Sequence, residues 1–149
     1  KPGDRAPEFS APTGDGETVS LADFIGKRDV VLYFYPRDNT PGCTREARAF
    51  RDAALEIRST DAEIVGVSTN SEVSHRRFAA NQELNFPLLA DTDGSIAAAY
   101  GVLKPNGRTA ERATFLVDRQ GIIRRVWPKV TVKGHVREVT QAIDEMRED

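Results

Sequence analysis

The 149-residue chain has one cysteine, Cys43, and two histidines, His75 and His135, and these set its sharpest chemical bounds. A lone cysteine cannot close an intrachain disulfide, form a Cys-x-x-Cys redox pair or build a multi-cysteine zinc site. The histidines are 60 positions apart, which gives no His-rich metal motif. Cys43 is left as a nucleophile, and a thiol acts as one only when ionised: at an unperturbed pKa of about 8.5, roughly 3% is thiolate at pH 7. Cys43 follows the turn formers Pro36-Arg37-Asp38-Asn39-Thr40-Pro41-Gly42 and precedes Ala47, Phe50, Ala54 and Ile57, apolar residues at helical spacing. At the start of a helix, unpaired N–H groups and the helix dipole favour a negative sulfur, and a nearby Arg adds to the effect. The plain alternative is a small buried apolar residue, the usual fate of a free cysteine. A Pro-Gly loop tip is a better place to display a nucleophile than to bury a filler. A Cys-dependent hydrolase using His75 or His135 is a rival chemistry, but no local protease or acyltransferase signature accompanies it.

The elements that would hold this thiol follow from the pattern of apolar residues. Phe9 to Pro12 and Glu17 to Val19 read as a small hairpin around Gly14-Asp15-Gly16. Ser20 to Gly26 reads as one helical turn with Ser20 as N-cap and Asp23 in the capping-box position. Val30 to Tyr35 is β-branched, aromatic or leucine throughout, which predicts a central strand buried on both faces. Beyond the helix that follows Cys43, strand (Ile64 to Val67), helix (Ser71 to Gln82), strand (Phe86 to Leu89) and short helix (Ser95 to Tyr100) alternate. Ala113 to Val117 and Ile122 to Trp127 flank the turn Asp118 to Gly121, and a last helix runs from about His135 to Met146. His75 reads as a helix-surface residue, and Trp127, Tyr33 and Tyr35 as packing. The sum is one α/β domain spanning 1–149, a mixed sheet covered by helices on both faces, with no repeat or linker.

Composition removes several classes of function. The chain is 39% hydrophobic and 30% charged, as in ordinary globular proteins. Lys plus Arg is 21 against 23 Asp plus Glu, a net charge of −2, so no nucleic-acid partner is expected. The longest apolar run, Val30 to Tyr35, is far short of the roughly 20 residues of a membrane span, so no membrane partner is expected either. The opening Lys1-Pro2-Gly3-Asp4-Arg5 has neither an initiator Met nor a signal-peptide core, as expected of a chain trimmed at its front.

The run Tyr35-Pro36-Arg37-Asp38-Asn39-Thr40-Pro41-Gly42-Cys43-Thr44-Arg45-Glu46 resembles the Pro-x-x-x-Thr-x-x-Cys signature of peroxiredoxins. It is most similar to their PrxQ, or bacterioferritin-comigratory-protein, subfamily. Gly66-Val67-Ser68, Ser74-His75 with Phe78, Phe86 to Asp91, and Arg112 to Asp118 extend the resemblance, in order, over nearly the whole chain. The resemblance implies a thioredoxin-like fold and a thiol peroxidase acting on hydrogen peroxide and alkyl hydroperoxides, with no cofactor or metal required. It assigns Cys43 as the peroxidatic cysteine, Thr40 as the hydroxyl that bonds the peroxide and Pro36 as the shield against water. Arg112 becomes the Arg before the late strand, and Glu46 the carboxylate that helps hold it. Without a resemblance, Thr40 is an extended residue before a proline, Pro36 a strand end, Arg112 a solvated cation and Glu46 a surface carboxylate.

One departure from the subfamily matters. Many relatives carry a resolving cysteine five residues after the first, where this chain has Arg48, and others carry it in the next helix, where Ser71 to Gln82 has none. A Cys43 sulfenic acid cannot then close an internal disulfide. The cycle needs an external thiol: thioredoxin, glutaredoxin or a low-molecular-weight thiol. Such a supply implies a cytoplasmic enzyme, and the resemblance favours a monomer or weak homodimer. The alternative outside enzymology is a thioredoxin-fold holdase or interaction module with an inert thiol.

Overall fold

The computed structural model describes residues 1–148. Its centre is strand β3 (Asp29–Phe34), buried at every position. Two further short strands, β1 (Ser10–Pro12) and β2 (Thr18–Ser20), form the expected antiparallel hairpin, with Ala11 opposite Val19. The helical turn after it is shorter than expected, a 3-10 turn over Leu21–Asp23. Its capping logic survives: the Asp23 carboxylate accepts the Ser20 backbone N–H at 2.9 Å.

The main sheet has the order β5-β4-β3-β6-β7. The other strands are β4 (Ala62–Ser68), β5 (Leu88–Ala90), β6 (Ala113–Val117) and β7 (Ile123–Trp127). β4 lies parallel to β3 and to β5, whereas β6 runs antiparallel to β3 and β7 antiparallel to β6. A helical crossover returns the chain in the same direction and a tight turn reverses it, which makes the sheet mixed. The helices are α1 (Pro41–Arg58), α2 (Glu72–Asn81), α3 (Ser95–Ala99) and α4 (His135–Glu148).

Side chains alternate across β3 and divide the core in two. Val31 and Tyr33 pack with Ala47, Phe50, Ala54 and Ile57 of α1, Phe78 of α2, and Val139 and Ile143 of α4. Val30, Leu32 and Phe34 face the opposite way, toward Phe9, Leu21, Ile96, Tyr100 and Phe115. Helices therefore reach both faces, but on the second face a single short helix shares the work with the N-terminal segment. No helix is long and apolar enough to cross a membrane among the described residues.

The strand ends position the site. β3 leads through Pro36–Thr40 into α1, while β6 arrives antiparallel beside it, pairing Ala113 with Phe34. The residue before β6, Arg112, is thereby delivered to the edge where α1 begins. Gly66 of β4 fixes how closely Tyr33 can sit, since a Cβ there would lie 2.8 Å from Leu88 Cδ2 and 3.1 Å from Tyr33 Cε1. Gly66→Ala is expected to cost about 1–3 kcal/mol in urea unfolding through overpacking; a change below about 0.5 kcal/mol would contradict this packing.

Candidate active site

Thr40 has extended φ/ψ (−87°, 153°) and is the N-cap of α1, with Pro41 in the first helical turn. Proline suits that position because its missing N–H would have no intrahelical partner and its φ is already helical. Cys43 is the third helical residue, and it is not displayed: its relative exposure is 1% and it packs with the Tyr33 and Tyr35 cluster. The loop-tip expectation is thus corrected on exposure. The loop ends at Thr40, and the first turn of α1 is pressed against the sheet.

Arg112 crosses over this turn. Its Nη2 donates to Cys43 Sγ at 3.3 Å and its Nη1 to Glu46 Oε1 at 2.7 Å. Gly42 leaves room for the crossing, because a Cβ there would lie 3.2 Å from Arg112 Nη2. Cys43 and Glu46 are three residues apart on one helix face, so one planar guanidinium spans both. Arg112 is 21% exposed and Glu46 only 1%. Glu46 is therefore no surface carboxylate. Its second oxygen, Oε2, and the buried Tyr33 hydroxyl have no hydrogen-bond partner among the described residues. Burial outweighs the attraction of Arg112 and pushes the Glu46 carboxyl up to about 7. Burial, then the charges of Glu46 and Cys43, also hold the Tyr33 hydroxyl well above its ordinary range.

The loop from Pro36 to Thr40 is anchored by Asp38, a residue the sequence did not single out. Asp38 Oδ1 accepts from the Tyr35 hydroxyl at 2.6 Å. Its Oδ2 accepts from Ser74 Oγ at 2.7 Å and meets His75 Nδ1 at 2.8 Å. The Asp38 N–H donates to Asn70 Oδ1 at 3.0 Å. Burial alone would raise the Asp38 carboxyl, but His75 and the two hydroxyls together hold it below its ordinary value. His75 is correspondingly not a helix-surface residue: its exposure is 0%, and its Nε2 lies 2.8 Å from the Leu89 carbonyl oxygen. A carbonyl only accepts, so Nε2 is the donor in that contact, and Nδ1 lies against the Asp38 carboxylate. The available signal was the spacing of three that places His75 on the helix face of Phe78.

Of the remaining candidates, Thr40 Oγ1 donates to the Arg37 carbonyl at 2.9 Å, and Pro36 is half-buried directly after Tyr35. Neither histidine bonds Cys43. His135 Nε2 meets Thr114 Oγ1 at 2.8 Å and its Nδ1 meets Glu138 Oε1 at 3.2 Å, so no Cys-His pair exists for hydrolase chemistry. Among the described residues no group of three His, Cys, Asp or Glu could hold a metal ion.

Two outcomes follow from these buried charges. Between pH about 4.5 and about 7 the unfolded chain releases the Glu46 proton that the folded chain keeps, so stability should fall as pH rises across this window, on the order of 3 kcal/mol in all. Glu46→Gln should remove that slope in urea titrations at several pH values, and an unchanged slope would contradict the assignment. His75→Leu leaves Asp38 charged, buried and short of its main partner, and should cost about 3–5 kcal/mol. A loss below about 1 kcal/mol would mean that the network does not anchor the loop.

The sequence model of the AhpC/TSA family matches residues 2–126. A putative peroxiredoxin bcp of Coxiella burnetii is 45% identical over 143 residues, covering 92% of this chain and 94% of that one. Peroxiredoxin Bcp of Bacillus subtilis is 44% identical over 152 residues, covering 98% and 96%. The Xanthomonas campestris bacterioferritin comigratory protein, solved in work on its alkyl peroxide reduction activity, superposes with a TM-score of 0.87 at 35% identity, covering 93% of this chain and 91% of that one.

Proposed function

Because the chain belongs to the AhpC/TSA family of peroxiredoxins, and within it resembles the PrxQ and Bcp proteins, we propose that it reduces hydrogen peroxide and alkyl hydroperoxides through Cys43 alone. The protein is a thiol-dependent peroxidase. The observation that carries the site assignment is the Arg112 guanidinium, with one nitrogen 3.3 Å from Cys43 Sγ and another 2.7 Å from Glu46.

In the proposed first step the Cys43 thiolate attacks the near peroxide oxygen. The S–O bond forms as the O–O bond breaks, and the departing alkoxide or hydroxide takes a proton to leave as alcohol or water. Charge moves from sulfur to the leaving oxygen, so donors fixed along that path favour the transition state. Arg112 faces the sulfur. The Gly42 and Cys43 N–H groups lie before the first intrahelical bond, from Thr44 N–H to the Thr40 carbonyl, and no side-chain cap takes them up. The Thr40 hydroxyl spends its proton on Arg37, which leaves its lone pairs to accept the hydroperoxide O–H. Pro36 lacks an N–H and shields the thiol from water. Glu46 positions Arg112.

Magnitudes support this division of labour. Converting roughly 3% thiolate to nearly all would gain about 30-fold, near 2 kcal/mol, and a thiolate of lower pKa is intrinsically less nucleophilic. Orientation and transition-state charge stabilisation must supply the remainder.

With no second cysteine, the sulfenic acid is returned to thiol by an external thiol, from thioredoxin, glutaredoxin or a small molecule. The reading extends to a cytoplasmic enzyme, monomeric or weakly dimeric. Stopped-flow mixing of prereduced protein with hydrogen peroxide, followed by intact mass and a sulfenic-acid trap, should consume one equivalent rapidly and place one oxygen on Cys43. Turnover should continue only after thiol is added. Sustained turnover without thiol would refute the one-cysteine cycle, and a reaction as slow as that of a free thiol would refute the peroxidase site.

A further inference from the structure

The segment around Cys43 separates its charges by depth. From Pro36 to Arg48 the carboxylates are Asp38 and Glu46, which are 4% and 1% exposed and are bound by His75 and Arg112. The exposed charges of that segment are all cationic: Arg37, Arg45 and Arg48. None of the three has a side-chain hydrogen bond or ion pair among the described residues.

Arg45 and Arg48, three residues apart, share a face of α1. Arg45 also converges on the site, because its Nη2 and that of Arg112 lie 3.9 Å and 3.2 Å from the point where a Gly42 Cβ would stand. The loop after β7 joins the same edge, where the Val130 N–H donates to the Arg112 carbonyl at 3.0 Å. That loop adds exposed Lys129, and no Asp or Glu occurs between Ile123 and Arg137. In a chain of net charge −2, the segment and loop beside the thiol thus carry exposed Arg37, Arg45, Arg48 and Lys129, with exposed Glu111 as the acidic neighbour of Arg112.

Hydrogen peroxide and alkyl hydroperoxides are neutral, so this charge is of little use in selecting them. The other reactant of the cycle is the reductant, and the sulfur it must reach is nearly enclosed, which favours a slim molecule over a folded protein. Resting on the one-cysteine reading above, we propose that the mouth of the site selects an anionic low-molecular-weight thiol, one that carries carboxylate or sulfonate groups, with Arg45 and Arg48 receiving its charge. The sulfenic acid and one thiol give a mixed disulfide and water. A second thiol then attacks the small-molecule sulfur, forming the symmetrical disulfide and releasing Cys43 as thiol. Two thiols are oxidised for each peroxide reduced.

The test oxidises the full chain with one equivalent of hydrogen peroxide and times its reduction by thiols of graded charge. Mercaptosuccinate and 2-mercaptoethanesulfonate are the anions, 2-mercaptoethanol is neutral and cysteamine is cationic, all compared at equal thiolate concentration. The anions should be faster than the neutral thiol by about tenfold at low salt, and the advantage should collapse at high salt and in the Arg45→Gln, Arg48→Gln double variant. Rapid oxidation of the parent chain with a flat charge series would overturn this proposal alone. A thioredoxin-type dithiol protein that outpaces every small thiol would overturn it too. Slow oxidation of Cys43 by peroxide would instead overturn the peroxidase reading beneath it.

Discussion

Arg112 joins parts of the chain that only the sheet brings together. It bonds Glu46 across 66 positions of sequence and Cys43 across 69. Because β6 lies antiparallel to β3, its first residues arrive where β3 hands over to α1, and the guanidinium closes the gap. A planar fork can address a carboxylate and a sulfur one helical turn apart, while a lysine ammonium on a flexible stem offers a single point of charge. The geometry of the thiol is therefore inherited from the register of the sheet, not from the loop that precedes it.

Two carboxylates are buried within a few residues of each other, and the protein treats them in opposite ways. Asp38 receives two hydroxyl donors and an imidazole, which overcome burial and keep it ionised. Glu46 receives one guanidinium, and its other oxygen is left without a partner. The first arrangement fixes a loop. The second retains an imperfectly solvated group beside the sulfur, a local cost of the kind that folds tolerate at functional sites. The rest of the core, packed around Tyr33, Phe50 and Phe34, offsets that cost.

Much of the frame was legible because period and composition report local structure well. The all-apolar run before Pro36 marked the central strand, and the spacing of Ala47, Phe50, Ala54 and Ile57 marked α1. What escaped depended on depth. A cysteine after Pro-Gly reads as exposed until the packing of the helix's first turn is known. His75 sits in a helix whose exposed face carries Glu72, Arg76, Arg77 and Asn81, and only its spacing of three from Phe78 sets the buried imidazole apart. Asp38 passes for a turn residue because its partners come from Tyr35 just after β3, the segment after β4, and α2. Glu46 and Arg112 were paired only through the family resemblance, since their meeting is a property of strand order.

The enclosure of a single sulfur also changes what governs the cycle in time. A second thiol in the same chain would present itself at an effective concentration fixed by the fold, whatever the surroundings. Cys43 has no such companion, so the lifetime of its oxidised form is set by how much free thiol the surroundings contain. While that form persists, a second peroxide competes for the same sulfur, and its success would carry Cys43 to the sulfinic state, from which ordinary thiols do not return it. The fraction of sulfur that survives therefore depends on the ratio of thiol to peroxide around the molecule.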